Sequence, residues 1–290
     1  MSIFVAVAFS GLALGSISAL VALGFLVTYK ATGVTNFAQG GLVTLGGYLG
    51  FSLVVSHGAN WWLAYPVVLV VMFVAGVAME RVVHAPLRHR SELVVVIATL
   101  GVGLVIQAVL YEVYGAQARS LPQLVNGVVT VAGARISTYD LLILGVSAVA
   151  IALLTTMFNV TQLGRQFRAA SLDPEVARLQ GIPVERFAMF AFGLGGLLAG
   201  VAGLMLAPRA ALDVNIGFTA MIAAFAAAVI GGFGRFSGVV VGALALGLVE
   251  QLGAQYLSSA YKEIYPFALM ILVIAVAPRG ILGSGSRVRV

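Results

Sequence analysis

The chain has 290 residues, of which 61% are hydrophobic and only 9% are charged, whereas an ordinary soluble domain has about 25% charged residues. So few charges cannot cover the surface of a soluble fold of this size, and a soluble globular protein is excluded. The absence of cysteine from the sequence also excludes disulfides and thiolate metal sites.

Nine apolar runs follow one another along the chain, each near the length of about 20 residues that a helix needs to cross a bilayer. They lie at residues 3–29, 35–56, 63–83, 93–112, 139–159, 187–207, 217–233, 238–256 and 264–278. The second and seventh runs are rich in glycine and are candidates for broken or re-entrant segments, so eight full spans is an open alternative. The pattern predicts an all-α, polytopic transmembrane bundle that forms a single membrane domain over residues 1–290.

Charge placement predicts the orientation of the chain. Residues 1–29 are uncharged, so no basic region of a cleaved signal peptide precedes the first run, which we expect to be retained as a helix. The proposed cytoplasmic loops and tail hold Lys30, Arg81, Arg88, Arg90, Arg165, Arg168, Arg178, Arg186, Arg235, Arg279, Arg287 and Arg289. The opposite side holds Arg119, Arg135, Arg209 and Lys262. Because basic residues favour the cytoplasmic side, we predict a periplasmic N-terminus, a cytoplasmic C-terminus and no nucleic-acid partner.

Glycine marks two further features of the bundle. In the outer segment 113–138, Gly127 and Gly133 predict turns within a segment too short to be a domain. Pairs of glycines four residues apart are expected to let helices of this chain pack closely on one another. These pairs are Gly11 with Gly15, Gly196 with Gly200, and Gly238 with Gly242.

The connection at about 160–187 contains a short helix with strong start and stop signals. Asp173 is suited to the N-cap, Pro174 to the first helical position, and Glu175 to the positive end of the helix dipole. Gly181 is suited to the position just after the helix, and Pro183 prevents its continuation. The sequence therefore predicts a two-turn helix over Pro174–Gln180, between two membrane spans.

Two interpretations of this helix are open from its residues alone. In the first, it docks into a partner protein through Val176 and Leu179, which lie one turn apart. In the second, it rests on lipid headgroups and is held there by Arg165, Arg168 and Arg178.

Two amides, Asn36 and Gln39, lie with Gly40 at the head of the second apolar run. Amides are costly against lipid, so they either cap a broken helix or face the aqueous pathway of the solute. Residues 231–238 are expected to form a tight turn between helices, with a contribution to the pathway as the alternative. Glu250, near the outer end of its span, is expected to be hydrated or paired, with a role at the outer vestibule as the alternative.

The sequence shows no motif typical of ATP hydrolysis, metal binding or catalysis. The only lysines, Lys30 and Lys262, do not stand in a phosphate-binding loop, so this chain is not expected to hydrolyse ATP. His57, His84 and His89 are scattered, and none lies beside a second metal ligand at helical spacing, so no metal site is expected. We predict no catalytic residues, no bound cofactor and no enzyme activity.

Several segments in order resemble the branched-chain amino acid ABC transporter permease family. The segment 164–187 resembles its cytoplasmic coupling loop, and the matching residues are Gly164, Arg165, Arg168, Ala169, Asp173, Ala177, Leu179, Gly181 and Ile182. Ser171 replaces an alanine of the family pattern, and Gln39 replaces its common histidine beside the matching Asn36, Phe37, Ala38 and Gly40. Residues 80–88, 218–250 and 278–283 resemble three further family segments.

The resemblance implies a membrane-spanning permease subunit in a bacterial inner membrane. Its expected partners are two cytoplasmic ABC ATPases that bind ATP and Mg, a second permease subunit or identical copy, a periplasmic substrate-binding protein and membrane lipid. The expected pathway residues are Asn36, Gln39 and Gly40. The expected ATPase-coupling residues are Arg165, Arg168, Asp173, Pro174, Glu175, Val176, Leu179 and Gly181. A urea or short-amide permease of the same family and a secondary transporter are the alternatives, although the latter should carry membrane-embedded ionisable residues.

Overall fold

A computed structural model describes residues 2–131, 133–262, 264–277 and 280–281 of the chain. Most of the predicted C-terminal family segment, with Arg279, Arg287 and Arg289, lies outside these residues. The first helices are α1 (Ser2–Thr32), α2 (Gln39–Phe51), α3 (Trp61–Met79), α4 (Ala85–Leu87), α5 (Glu92–Tyr114) and α6 (Thr138–Val160). They are followed by α7 (Gln162–Leu172), α8 (Pro174–Leu179), α9 (Val184–Leu206), α10 (Ile216–Gly231), α11 (Phe236–Tyr256) and α12 (Ile264–Val276).

Each of the nine predicted apolar runs contains a helix in the described part of the chain. Six helical stretches are long and apolar enough to cross a membrane, namely Ile3–Thr32, Trp61–Leu87, Glu92–Tyr114, Thr138–Val160, Val184–Leu206 and Phe236–Tyr256. Helix α2 has 13 residues, or about 20 Å, and is too short to cross alone, although a π-helical turn, Ser52–Ser56, extends it. Helices α10 and α12 are also short. The number of full spans stays a prediction.

Two elements were missed by the sequence reasoning. The outer segment contains a β-hairpin in which strand β1 (Val128–Val131) pairs antiparallel with β2 (Ala134–Ser137). The predicted turn at Gly133 joins these strands with a φ of 78°. Helix α7, in the connecting loop, was also not predicted, although Thr161 caps it by accepting a hydrogen bond from the Gly164 N–H. Both elements are short, and α7 also packs on α9, where the ring centroids of Phe167 and Phe187 lie 6.3 Å apart.

The chain divides into two compact units, and unit 1 comprises residues 1–23, 123–148 and 222–290. Its helices approach closely at glycines, since a Cβ atom added to Gly11 would lie 2.8 Å from the Gly247 carbonyl oxygen. The backbone of Ile281 donates to the carbonyl of Ile230 at 2.8 Å, which brings the tail to the turn after α10. Glu250 Oε1 lies 3.5 Å from Lys262 Nζ, so the expectation that Glu250 is paired is confirmed.

Unit 2 comprises residues 24–122 and 149–221, and α9 is its central helix. Helix α9 packs along α3 and along α2, and 17 of its residues are buried. A Cβ atom added to Gly196 would lie 3.1 Å from the Gly76 Cα, and one added to Gly46 would lie 2.9 Å from the Gly200 Cα. The prediction that the Gly196 and Gly200 pair serves packing within the chain is therefore confirmed.

The segment after α9 folds back onto the other helices of unit 2. Leu212 is 1% exposed and pairs through its backbone with Arg119 in both directions at 2.9 Å. Its carbonyl also accepts from the Tyr48 hydroxyl at 3.4 Å, and the Val214 carbonyl accepts from Gln107 Nε2 at 3.2 Å. These bonds bring together two connections that the sequence places on the same, outer side of the membrane.

Candidate functional site

Helix α8 begins as the sequence predicts. The Asp173 carboxylate accepts hydrogen bonds from the backbone N–H groups of Glu175 at 3.1 Å and Val176 at 3.0 Å. Pro174 occupies the first turn, where its missing N–H removes no helical bond. The prediction of a capped helix between two apolar helices is confirmed, and its last helical residue is Leu179 instead of Gln180.

The C-terminal end of α8 is a Schellman motif. Gly181 has a φ of 77°, and its N–H donates to the Arg178 carbonyl while the Ile182 N–H donates to the Ala177 carbonyl, both at 3.0 Å. Ile182 packs against a small buried cluster made by Ala170, Ala177 and Val184. Both ends of this short helix are therefore fixed by local bonds, and its buried face is fixed against α7 and the start of α9.

The opposite face of α8 is apolar and exposed. Val176 is 47% exposed, Leu179 is 88% exposed, and Leu172 at the end of α7 is 86% exposed. We call these three residues the α8 surface. Leu172 was missed by the sequence reasoning because its position depends on α7. An apolar surface on a pre-formed helix is suited to contact with another apolar surface.

Arg165 and Arg168 belong to α7 and contact the end of α6, not the exposed face of α8. The Arg168 guanidinium donates to the Phe158 carbonyl at 2.8 Å, and that of Arg165 donates to the Val160 carbonyl at 3.4 Å. These carbonyls belong to the last turn of α6, where basic side chains commonly satisfy the free acceptors of a helix. In this structure the two arginines therefore stabilise the turn from α6 into α7, and their predicted part in coupling stays a prediction.

Three charged residues around α8 were not singled out as a site from the sequence. The Glu185 carboxylate, in the first turn of α9, lies 2.9 Å from an Arg178 Nη atom and 3.5 Å from an Arg88 Nη atom. Arg178 belongs to the last turn of α8, and Arg88 follows α4. Arg88 is remote in sequence from Arg178 and Glu185, so only the fold brings it to them.

Beside these ion pairs lies a cavity of about 220 Å³. Its walls include Glu80 and His84, which are 3% and 7% exposed and belong to a π-helical turn after α3. Glu80 and His84 are four residues apart, and His84 Nδ1 lies 3.8 Å from Glu80 Oε1, so the statement that no histidine has a second potential metal ligand at helical spacing was wrong. Within the described residues the His84 Nδ1 atom finds no hydrogen-bond partner. Glu80 is a buried carboxylate that the sequence reasoning overlooked, because its run was assessed as an apolar span.

The two amides at the head of α2 are buried inside unit 2, with Asn36 2% and Gln39 0% exposed. Asn36 Oδ1 accepts from the Ala38 N–H at 3.1 Å, two residues on, which forms an Asx turn just before α2. The N-cap of α2 is Ala38, so Asn36 does not cap this helix. Asn36 Nδ2 lies 3.6 Å from the Met79 sulfur. Gln39 Nε2 donates to the Gly195 carbonyl in α9 at 3.0 Å. Its Oε1 atom is buried and lacks a hydrogen-bond partner among the described residues.

Gly40 lies at a close helix contact. A Cβ atom added there would be 2.9 Å from the Gly217 carbonyl oxygen, so any larger residue would separate α2 from the start of α10. Thr44, one turn further on, accepts from the Gly217 N–H at 3.1 Å. The structure thus places all three predicted pathway residues at one helix break, while a role in the pathway stays a prediction.

Long apolar helices, buried amides and a capped connecting helix define the chain as a polytopic α-helical membrane protein. Residues 7–274 match the family described as branched-chain amino acid transport system / permease component, and the chain belongs to this family. It is 34% identical to the high-affinity branched-chain amino acid transport system permease protein LivH of Escherichia coli K12, over 95% of this chain and 94% of that protein. It is 32% identical to BraD of Pseudomonas aeruginosa, over 94% of both chains.

A solved structure agrees at the level of fold. The chain superimposes on a chain of PsaBC from Streptococcus pneumoniae in complex with Fab with a TM-score of 0.50, covering 93% of this chain and 91% of that one. The two sequences are 12% identical, so this likeness concerns the fold alone.

Proposed function

We propose that this chain is the membrane-spanning permease subunit of an ABC importer that moves branched-chain or related amino acids across a bacterial inner membrane. The observation that carries the proposal is its 34% identity to a branched-chain amino acid permease over 95% of the chain. The chain contributes a pathway and no chemistry of its own, and its helices alternate between states open to either side.

ATP hydrolysis is assigned to other chains. Neither lysine of this sequence stands in a phosphate-binding loop, so two cytoplasmic ABC ATPases bind ATP and Mg and supply the driving force. A second permease subunit, either related or an identical copy, completes the pathway. A periplasmic binding protein delivers the solute. The membrane orientation is the one predicted from the basic residues, with α8 cytoplasmic and the β-hairpin periplasmic.

The α8 surface is the proposed docking site for an ATPase. Its support is physical: Leu179 is 88% exposed on a helix whose two ends are already fixed by Asp173 and Gly181. Burying one such side chain contributes about 1.5–3 kcal/mol, and a pre-formed helix loses little conformational entropy on binding. The alternative contact is with lipid headgroups, on which a short amphipathic helix can also rest.

The helix break at Asn36 and Gln39 is the proposed lining of the pathway. Its support is the pairing of the two amides with protein groups of α2, α3 and α9 instead of lipid. The Gln39 oxygen is buried with no hydrogen-bond partner in the described part of the chain, which carries a free-energy cost that a polar solute or a water molecule would relieve.

Uptake of radiolabelled leucine tests the proposal. The chain is expressed together with the ATPases, second permease and binding protein of its proposed complex, in a strain that lacks its own branched-chain amino acid importers. We expect ATP-dependent leucine uptake that disappears when this chain is omitted. Uptake of urea without uptake of leucine would assign the substrate to the alternative class, and uptake driven by an ion gradient without ATP would contradict the ABC mechanism.

A further inference from the structure

Glu185 stands where three segments of unit 2 meet. One of its carboxylate oxygens is shared between Arg178, at 2.9 Å, and Arg88, at 3.5 Å. Arg178 lies in the last turn of α8, whereas Arg88 follows the helical stretch Trp61–Leu87 that contains α3. A single side chain in the first turn of α9 therefore connects the coupling helix to two membrane helices.

The ion pairs lie at the wall of a cavity between these segments. Arg88, Arg178 and Glu185 line the cavity of about 220 Å³, and the buried Glu80 and His84 line it as well. The Arg88 guanidinium is held in place because its Nε donates to the Ala85 carbonyl at 3.1 Å. Among the described residues, the apolar contact of α8 with α9 includes the small cluster around Ala177. The ion pairs add a charged link from α8 through Glu185 of α9 to Arg88.

Helix α9 is suited to carry a displacement further into the membrane. Its glycines approach the backbone of α3 and α2, and an added Cβ atom at Gly196 or at Gly46 would lie about 3 Å from the Cα of the facing helix. Contacts this close leave no room for compression, so the helices shift together instead of deforming. Its Gly195 carbonyl also accepts the hydrogen bond from Gln39, at the predicted pathway.

We infer that Glu185 is a positioning residue, which ties α8 to α9 and α3 so that movement of the coupling helix is transmitted into the membrane helices. The inference rests on the proposed function, because an ATPase has to move α8. Ion pairs between partly exposed side chains contribute little to stability, and the side chains of Arg88, Arg178 and Glu185 are 31%, 49% and 45% exposed. Loss of Glu185 therefore leaves the fold intact and reduces coupling.

The test measures leucine transported per ATP hydrolysed by the complete complex in proteoliposomes. Four forms are compared with wild type: Glu185→Gln, Glu185→Asp, the charge-reversed triple variant Arg88→Glu, Arg178→Glu, Glu185→Arg, and the control Arg186→Gln. Arg186 is exposed beside Glu185, so the control changes the charge by one at a neighbouring position. We expect Glu185→Gln to retain its ATPases during purification and to lower the transport ratio about fivefold or more, the lower end of coupling between linked sites.

The aspartate and charge-reversed forms are expected to keep most of the ratio, since each preserves the opposite charges across the cavity. A wild-type ratio in Glu185→Gln would overturn the inference and leave the proposed function standing. Loss of the ATPases from Glu185→Gln would also overturn the inference, because the residue would then act in docking. A low transport ratio in the charge-reversed triple variant would overturn it as well. A wild-type complex that moves no leucine would instead overturn the proposed function, and the inference with it.

Discussion

Two regions of unit 2 reverse the usual distribution of polar and apolar side chains. At the head of α2, the amides of Asn36 and Gln39 are 2% and 0% exposed, whereas the apolar Val176 and Leu179 in α8 are 47% and 88% exposed. A buried polar group and an exposed apolar group both raise the free energy of an isolated chain. Under the proposed function the two regions take different partners: a polar solute inside the helix bundle and an apolar ATPase surface outside it.

The largest expected effect comes from making the α8 surface polar. In the double variant Val176→Asp, Leu179→Asp, two side chains that should be buried against an ATPase become charged. Each burial contributes about 1.5–3 kcal/mol, so we expect affinity for the ATPase to fall by about 100-fold or more. Co-purification of the tagged permease with its ATPase measures this loss.

The control for that variant is Leu163→Asp, which places the same charge on an exposed leucine of α7 outside the α8 surface. We expect this form to retain its ATPase. If the double variant also retains full amounts of ATPase, and ATP hydrolysis still responds to solute-loaded binding protein, then α8 rests on lipid headgroups and the docking assignment is wrong.

A smaller effect is expected from removing the buried amides. In the double variant Asn36→Leu, Gln39→Leu, the complex should still assemble, because leucine is apolar and similar in size to both amides. We expect leucine uptake to fall about tenfold, since one lost hydrogen bond in the pathway is worth about 1.4 kcal/mol. Uptake in intact cells, normalised to the amount of assembled complex, gives the measurement.

Gln107→Leu is the matched control, since Gln107 is a partly buried amide of unit 2 that bonds the Val214 carbonyl away from the helix break. This control should keep most of its uptake. Normal uptake by the Asn36 and Gln39 double variant would show that neither residue acts in the pathway. Asn36 would then only form the turn before α2, and Gln39 would only join α2 to α9.

The smallest effect is expected at the N-cap of α8. The Asp173→Ala substitution removes the acceptor of two backbone N–H groups and should destabilise the helix by about 0.5–2 kcal/mol. A helix of 6 residues has little stability of its own, so affinity for the ATPase should fall by about 2- to 30-fold. Asp173→Asn preserves a capping oxygen and should bind nearly as wild type. Equal binding by the alanine and asparagine forms would show that the cap is unimportant for docking.

The features that could be predicted from the sequence are those set by residues close to one another along the chain. The limits of α8 follow from Asp173, Pro174 and Gly181, which act within one or two turns, and the structure confirms them. The apolar runs predicted helices for the same reason, since the need to satisfy backbone groups in lipid leaves few alternatives. The hairpin and α7 were missed because their segments were assessed by turn-forming residues and by caps alone.

Features that depend on tertiary contacts were not predictable in this way. Glu185 and Arg88 meet only because α9 packs along α3, and nothing in the sequence near either residue indicates the other. Glu80 lies in an apolar run, and its burial follows from the π-helical turn at Glu80–His84 and from the packing of α9. Exposure of Leu172 likewise depends on the angle at which α7 meets α8.

Contact between α8 and an ATPase is the central claim, and site-specific crosslinking measures this contact directly. The chain contains no cysteine, so Leu179→Cys introduces a unique site for a photoactivatable thiol reagent. In the complete complex we predict a crosslink to the ATPase from Cys at position 179, and none from a Gln123→Cys control in the outer connection. Crosslinking of position 179 to lipid alone, or of position 123 to the ATPase, would contradict the account.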